Sequence, residues 1–265
     1  MSMEDNQYGA KMNKYALRIT DLTAGYGEDT AVLQGISLSL EKGQILCMVG
    51  ESGSGKTSVI RTITGWEGLY VREGSIEVWE NEISRLSFKE RRKLLGRTIG
   101  YIPQNPAGSF NPIRKYEPQI REMLASHDIR YVKSEVEKAF ARMGLDSPGS
   151  LLGSRPYELS GGMNQRVAIA AVMLLEPSIL LCDEPTSALD VMTANLVKDE
   201  FIRLNKERGT SILMVTHNLG LANIMADSVA IMKRGRIVES GNTEKVMYNP
   251  ADDYTKRLIG DIFNL

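Results

Sequence analysis

The sequence predicts an α/β fold: a sheet layered with helices, carrying an antiparallel β subdomain and interrupted by an inserted helical subdomain. Two observations predict it. Short apolar runs alternate with helical patterns along most of the chain. Between Pro118 and Gly153 the pattern changes to charged, helix-forming sequence, through Glu122-Met123-Leu124 and then Val132 to Met143. In chain order, Ile36, Leu38 and Leu40 alternate with polar residues, as a half-exposed antiparallel strand does. Ile45-Leu46-Cys47-Met48-Val49 is continuously apolar, the pattern of a strand buried on both faces. It runs into a glycine-rich loop, after which Thr57 to Thr64 reads as a helix. Further strands are expected at Ile76 to Trp79 and Thr98 to Ile102, then a helix from near Gly161. The remaining strands are expected at Ile179 to Cys182, Ser211 to Val215 and Val229 to Met232.

The 265 residues are ample for a real core. Hydrophobic content of 42% and charged content of 25% are ordinary for a globular protein. A formal net charge of −1 argues against a nucleic-acid partner held by overall positive potential. Cys47 and Cys182 each sit inside an apolar run, and so read as small core residues of a reducing compartment. Met1 to Lys14 is polar and lacks the apolar core of a secretion signal, and no run approaches the length of a spanning helix. The expectation is a cytosolic protein whose membrane role, if any, comes through a partner. No repeat or linker is visible, so residues 15–265 read as one domain, with 1–14 a polar N-terminal segment and about 118–160 the inserted helical subdomain.

Gly50-Glu51-Ser52-Gly53-Ser54-Gly55-Lys56-Thr57 fits G-x-x-x-x-G-K-[ST] between a strand and a helix. Glycines let backbone N–H groups curl around phosphate oxygens, and the start of the helix, Ser58 included, adds its positive end. Lys56 is placed to reach the β/γ-phosphates and Thr57 to ligate Mg²⁺. The strand Ile179 to Cys182 ends in Asp183 and Glu184. Asp183 suits a water-mediated hold on Mg²⁺, and Glu184 suits a general base for attack on a γ-phosphate. Leu159-Ser160-Gly161-Gly162 opens a helix and offers a hydroxyl and free N–H groups, a second phosphate cradle. Taken alone it is equally an ordinary N-cap.

Gln104 after its strand is, by itself, a surface residue, and His217 a satisfied structural histidine. His127 lies in the helical insert with no partner motif and reads as solvated. Tyr26, in Ala24-Gly25-Tyr26-Gly27, is a turn aromatic or an adenine platform.

In this order, the glycine loop, Gln104, Leu159-Ser160-Gly161-Gly162, the acidic strand end, Ser187-Ala188-Leu189-Asp190 and His217 resemble the nucleotide-binding subunit of an ABC transporter. The resemblance covers about Tyr15 to Leu265. It implies a P-loop NTPase core of the ABC ATPase type, which binds ATP and Mg²⁺ and hydrolyses ATP. Tyr26 would then stack on adenine, and residues 50–58 would hold the triphosphate. Gln104 would touch metal and attacking water, and His217 the γ-phosphate. Ser160, Gly161 and Gly162 would contact the nucleotide of an opposite subunit, with Asp190 at the dimer seam. The implied partners are a second, homologous cassette, two transmembrane permeases docked through the helical subdomain, and indirectly an extracytoplasmic solute-binding protein. The implied location is the cytoplasmic face of a membrane.

Gln104-Asn105-Pro106 with Ser109-Phe110-Asn111-Pro112, Tyr157 to Met163, and the tail Asn249-Pro250 with Tyr254-Thr255 and Leu258 resemble the peptide/nickel importer group. Phe110-Asn111-Pro112 leans toward its nickel or metal-chelate members. Asn164 stands where that group has a basic residue or Gln, and Asn218 where it has an acidic one. No cysteine follows Cys182, so the iron–sulfur cluster of some relatives is not expected. The rival readings are a soluble ABC ATPase acting on ribosomes or DNA, a P-loop kinase or switch, and a cassette serving an exporter.

Overall fold

The structure is a computed structural model, and it describes residues 14–263 apart from 28, 29 and 188. All of the polar N-terminal segment except Lys14, and Ala188 of the Ser187–Asp190 motif, lie outside the described residues.

The strands are β1 (Tyr15–Tyr26), β2 (Thr30–Glu41), β3 (Ile45–Val49), β4 (Leu69–Val78) and β5 (Asn81–Glu82). They continue with β6 (Ile99–Ile102), β7 (Ile179–Asp183), β8 (Ser211–Thr216), β9 (Ser228–Lys233) and β10 (Arg236–Asn242). Among the described residues they form two sheets. One is antiparallel, in the order β2-β1-β4-β5. The other runs β10-β9-β3-β8-β7-β6 and is parallel from β9 to β6, with β10 antiparallel at its edge. The helices α1 (Lys56–Thr64) and α2 (Phe88–Arg92) belong to the first half of the chain. Helices α3 (Tyr116–Ala125), α4 (Lys133–Arg142) and α5 (Pro148–Gly153) lie between β6 and α6 (Gly161–Met173). The chain continues through α7 (Val191–Arg208), α8 (Leu219–Met225), α9 (Thr243–Tyr248) and α10 (Asp253–Phe263).

Strand β3 is buried at every position because both faces of its sheet are covered. Its residues alternate between two cores, as the period of a strand requires. Ile45, Cys47 and Val49 face the core shared with α3, α4, α6 and α7. Leu46 and Met48 face the core shared with α1 and the antiparallel sheet. Both cysteines are buried and free. Burial pushes the Cys47 thiol up to about 12, with Asp227 adding to the rise.

Several expectations need correction. β1 was not anticipated, and β4 begins well before Ile76 and ends before Trp79. Arg72-Glu73-Gly74-Ser75 is part of the strand, at a register shift opposite Asp21. Gly74 belongs there because a Cβ would fall 2.4 Å from the Thr20 carbonyl oxygen. Trp79 and Glu80 leave the strand with φ 49° and 66°, turning the chain into β5. The helical insert starts at Tyr116, slightly before Pro118. His127 is half-buried rather than solvated: its ring fills the space beside Gly96, where a Cβ would lie 2.1 Å from Cε1.

Parallel register places the ends of β3, β8, β7 and β6 along one edge of the sheet, with Val49 beside Thr216, Val215 beside Asp183, and Cys182 beside Ile102. Gly50, His217, Glu184 and Gln104 follow directly from these ends. A crevice outside the carboxyl ends of parallel strands is where such sheets bind ligands.

Candidate functional site

The loop 50–55 leaves β3 and enters α1 through Gly55, whose φ of 106° suits glycine. Gly50 is required for a different reason: a Cβ there would lie 2.2 Å from the Met232 carbonyl oxygen of β9. The Lys56 ammonium donates to the carbonyls of Gly50 (2.7 Å) and Glu51 (2.8 Å), bridging the mouth of the loop. Burial lowers the pKa of Lys56, while Glu184, Asp183 and Glu51 oppose that shift. Ser54 Oγ is buried without a hydrogen-bond partner. Buried hydroxyls ordinarily find one, so this orphan marks a place for an incoming acceptor such as a phosphate oxygen.

The Thr57 hydroxyl donates to Asp183 Oδ1 at 2.9 Å. Asp183 is buried at the end of β7, and desolvation raises its pKa, with the Thr57 bond pulling the other way and Glu184 adding to the rise. A hydroxyl and a carboxylate meeting beside a lysine-lined loop are the donor set that a hard divalent cation such as Mg²⁺ takes. Next to them Glu184 adopts φ 48°, unusual for a non-glycine residue. Glu184 N–H donates to the Val215 carbonyl (2.9 Å), and Ser187 Oγ donates to the Glu184 carbonyl (3.0 Å), holding that turn. The result aims the Glu184 carboxylate between Gln104 Nε2 (3.5 Å) and His217 Nδ1 (3.3 Å). The structure therefore joins Gln104, Asp183, Glu184, His217, Lys56 and Thr57 in one cluster.

Ser160 caps α6, its hydroxyl accepting from Met163 N–H at 3.3 Å. Ser160 and Gly161 are exposed, and a Cβ on Gly161 would meet nothing within 4 Å. Among the described residues no hydrogen bond or ion pair joins residues 159–162 to residues 50–58. Asp190 caps α7, accepting from the Thr193 backbone N–H (3.0 Å) and hydroxyl (2.7 Å), and its neighbours Val191 and Met192 are 79% and 82% exposed. Tyr26 ends β1, partly exposed, its hydroxyl accepting from Arg61 at 3.3 Å.

Three contacts were beyond sequence reasoning. Tyr254 of α10 reaches the glycine loop, its hydroxyl accepting from Glu51 N–H at 3.4 Å, with Lys233 over its ring at 4.4 Å. Buried Gln165 of α6 donates to the Pro185 carbonyl at 2.7 Å, just behind Glu184. Arg61 contacts Tyr26 and lies over the Trp66 ring. The tail motif Tyr254-Thr255 was the one available signal, and nothing in it points to the loop.

Comparison with known proteins gives a consistent picture. The family described as "ABC transporter" matches residues 33–187. The oligopeptide transport ATP-binding protein OppD of Lactococcus lactis subsp. cremoris (strain SK11) is 34% identical over 260 residues, 96% of this chain and 75% of the relative. The dipeptide transport ATP-binding protein DppD of Bacillus subtilis (strain 168) is 35% identical over 89% of this chain and 72% of its own length. Among solved structures, an ATP-binding subunit of an ABC transporter superposes with TM-score 0.75 at 25% identity, covering 94% of this chain and 99% of its own. CbiO1 from Clostridium perfringens superposes with TM-score 0.73 at 25% identity, covering 95% and 96%.

Proposed function

The chain belongs to the ABC transporter family as an ATPase, and from that premise we propose that it powers an importer of peptides or nickel-type metal chelates through ATP-driven closure of two cassettes. The observation that carries this reading is the contrast between two glycine loops: Gly50 and Gly55 are hemmed in by Met232 and Leu33 of their own chain, whereas a Cβ on Gly161 would meet nothing within 4 Å. A cradle with nothing of its own chain to hold suits the phosphate of a second subunit. Exposed Val191 and Met192 beside Asp190 supply apolar surface for such a seam.

In this reading residues 15–265 are one cassette, with about 118–160 its helical subdomain. Tyr26 stacks on adenine. Gly50, Glu51, Ser52, Gly53, Ser54 and Gly55, with Lys56, Thr57 and Ser58, bind the triphosphate. Thr57 and Asp183, with Gln104 close by, would hold Mg²⁺, which when bound neutralises charge on the β/γ-phosphate oxygens. Glu184 accepts the proton of the attacking water, oriented by Gln104, while His217 donates to the γ-phosphate. Ser160, Gly161 and Gly162 complete the site across the seam. Closure lasts while γ-phosphate contacts span it, and hydrolysis removes them.

The names of the relatives weight the cargo toward peptides, against the nickel lean of Phe110-Asn111-Pro112. A groove of about 390 Å³ lined by Tyr101, Pro103, Phe110, Met123, Ala168 and Val172 supports docking of a permease beside the Gln104 loop. Among the described residues no helix is long and apolar enough to cross a membrane. The proposed place is therefore peripheral, on the cytoplasmic face, with two permeases, a homologous cassette and, through them, a solute-binding protein. Affinity capture from detergent-solubilised native membranes, read by mass spectrometry, tests this. Two multi-spanning proteins and a second cassette are expected, and recovery of soluble partners alone would overturn the transport reading.

A further inference from the structure

Asn164 departs from the importer-group pattern, and its surroundings give it a use. Its amide nitrogen donates to the carbonyls of Pro156 (2.9 Å) and Leu159 (3.3 Å), the stretch that leads into Ser160. Its amide oxygen accepts from the hydroxyl of Tyr116. A lysine or arginine at this position could not accept that bond, having no acceptor atom. Tyr116 is fully buried at the start of α3, with its N–H on the Ser154 carbonyl at 3.0 Å. Against its ring stands Phe110, centroids 4.9 Å apart and planes at 78°, an edge-to-face pair. Phe110 closes the segment that begins at Gln104, with Asn105 and a short 3₁₀ turn, Pro106–Ser109, between them. Gln119 of α3 fixes the far side of that segment, accepting from Asn111 N–H at 2.8 Å. Gln104 itself touches Glu184.

A path thus runs from the carboxylate that faces this chain's own nucleotide site, through Gln104 and the backbone of residues 105–109 to Phe110, and by side-chain contacts on to the loop carrying its outward cradle. We propose that Phe110, Tyr116 and Asn164 form a positioning strut, through which nucleotide at Glu184 and Gln104 sets the geometry of Ser160-Gly161-Gly162. The inference rests on the cassette reading above, and deepens it: the state of one half-site tunes the other half-site that the same chain offers to its partner. The bonds are directional, and the two ends of the Asn164 amide hold different partners. Removing the Tyr116 hydroxyl leaves the ring pair intact and cuts only the link to Asn164. Replacing Asn164 by Asp keeps the acceptor for Tyr116 and cuts the links to Pro156 and Leu159.

The test uses the full chain with Mg²⁺ and a non-hydrolysable ATP analogue, read by amide hydrogen exchange. In the unmodified protein the analogue is expected to protect residues 50–58 and to change exchange over 156–163. Tyr116→Phe and Asn164→Asp should each keep the first response, with analogue affinity within about twofold of the parent, and lose the second. In the assembled transporter each should lower ATP turnover about 2- to 30-fold, the range for residues that carry coupling. A purely structural role would instead lower the melting temperature and leave the 156–163 response in place, which overturns the strut. An unmodified protein that shows no response over 156–163 overturns it as well. Absence of protection over 50–58 would sink the cassette reading itself, and the strut with it, so the two failures are told apart.

Discussion

Helices α1 and α6 both begin at glycine-bearing loops, yet the two loops are built for different neighbours. At α1, Gly50 is forced by the Met232 carbonyl, Lys56 is buried against loop carbonyls, and Ser54 Oγ is buried without a partner. Gly50 and Gly55 answer to the packing of this chain, and Gly53 to its φ of 78°. At α6, a Cβ on Gly161 would meet nothing within 4 Å, and Ser160 is exposed, its hydroxyl capping Met163 N–H. Among the described residues no close neighbour forces glycine at 161 or 162, the nearest to a Cβ on Gly162 being Leu189 Cδ2 at 3.9 Å. A glycine at the first position of a helix, where most residues fit, leaves the room that the proposed approach of a second subunit's phosphate needs.

The largest way to break this comparison is through the cluster that faces the first loop. Glu184→Gln keeps the side-chain shape but turns one of its two acceptor oxygens into a donor and removes the base. ATP turnover should fall roughly 10²- to 10⁴-fold, with ATP binding retained in an equilibrium titration. Near-parental turnover would remove Glu184 from the mechanism.

The glycines themselves sharpen it. Gly50→Ala places a methyl 2.2 Å from a backbone oxygen and should cost about 1–3 kcal/mol by chemical denaturation. Gly161→Ala meets open space and should change stability by no more than about 0.5 kcal/mol, while lowering turnover in the assembled transporter. Equal stability losses at the two positions would erase the distinction.

A smaller effect concerns Asp183. Its folded-state pKa is raised by burial, so the folded chain holds a proton that the unfolded chain has already released. Stability is then complete below the ordinary value of 3.8 and falls as pH rises through the raised one. At neutral pH the buried Asp183 carboxyl is therefore a net cost in the nucleotide-free protein. Asp183→Asn keeps an acceptor for Thr57 and should raise the neutral-pH melting temperature, an advantage that shrinks on acidification, while Mg²⁺-dependent turnover is lost. A lower melting temperature at pH 7 would contradict this.

Much of the cluster was legible in the sequence because its chemistry is local. The glycine loop, Asp183-Glu184, Gln104 and His217 each follow an apolar run, and parallel register brings the ends of such runs to one edge. Contacts made across the chain were not legible. Tyr254 reaches Glu51 over 203 positions, and nothing in the tail announces the loop. β1 mixes charged and turn-forming residues such as Asp21 at φ 45°, which hides its strand character until β2 and β4 pair with it. His127 looked solvated because Gly96, which makes room for its ring, lies in a different segment.

The outward cradle is tested most directly by measuring ATP affinity and ATP turnover of Ser160→Arg beside Lys56→Ala in the assembled transporter. Ser160→Arg is expected to bind ATP at its own loop as the parent does, yet to abolish hydrolysis, whereas Lys56→Ala loses binding. Loss of ATP binding in Ser160→Arg would mean that both cradles serve one nucleotide of the same chain, and would contradict the account.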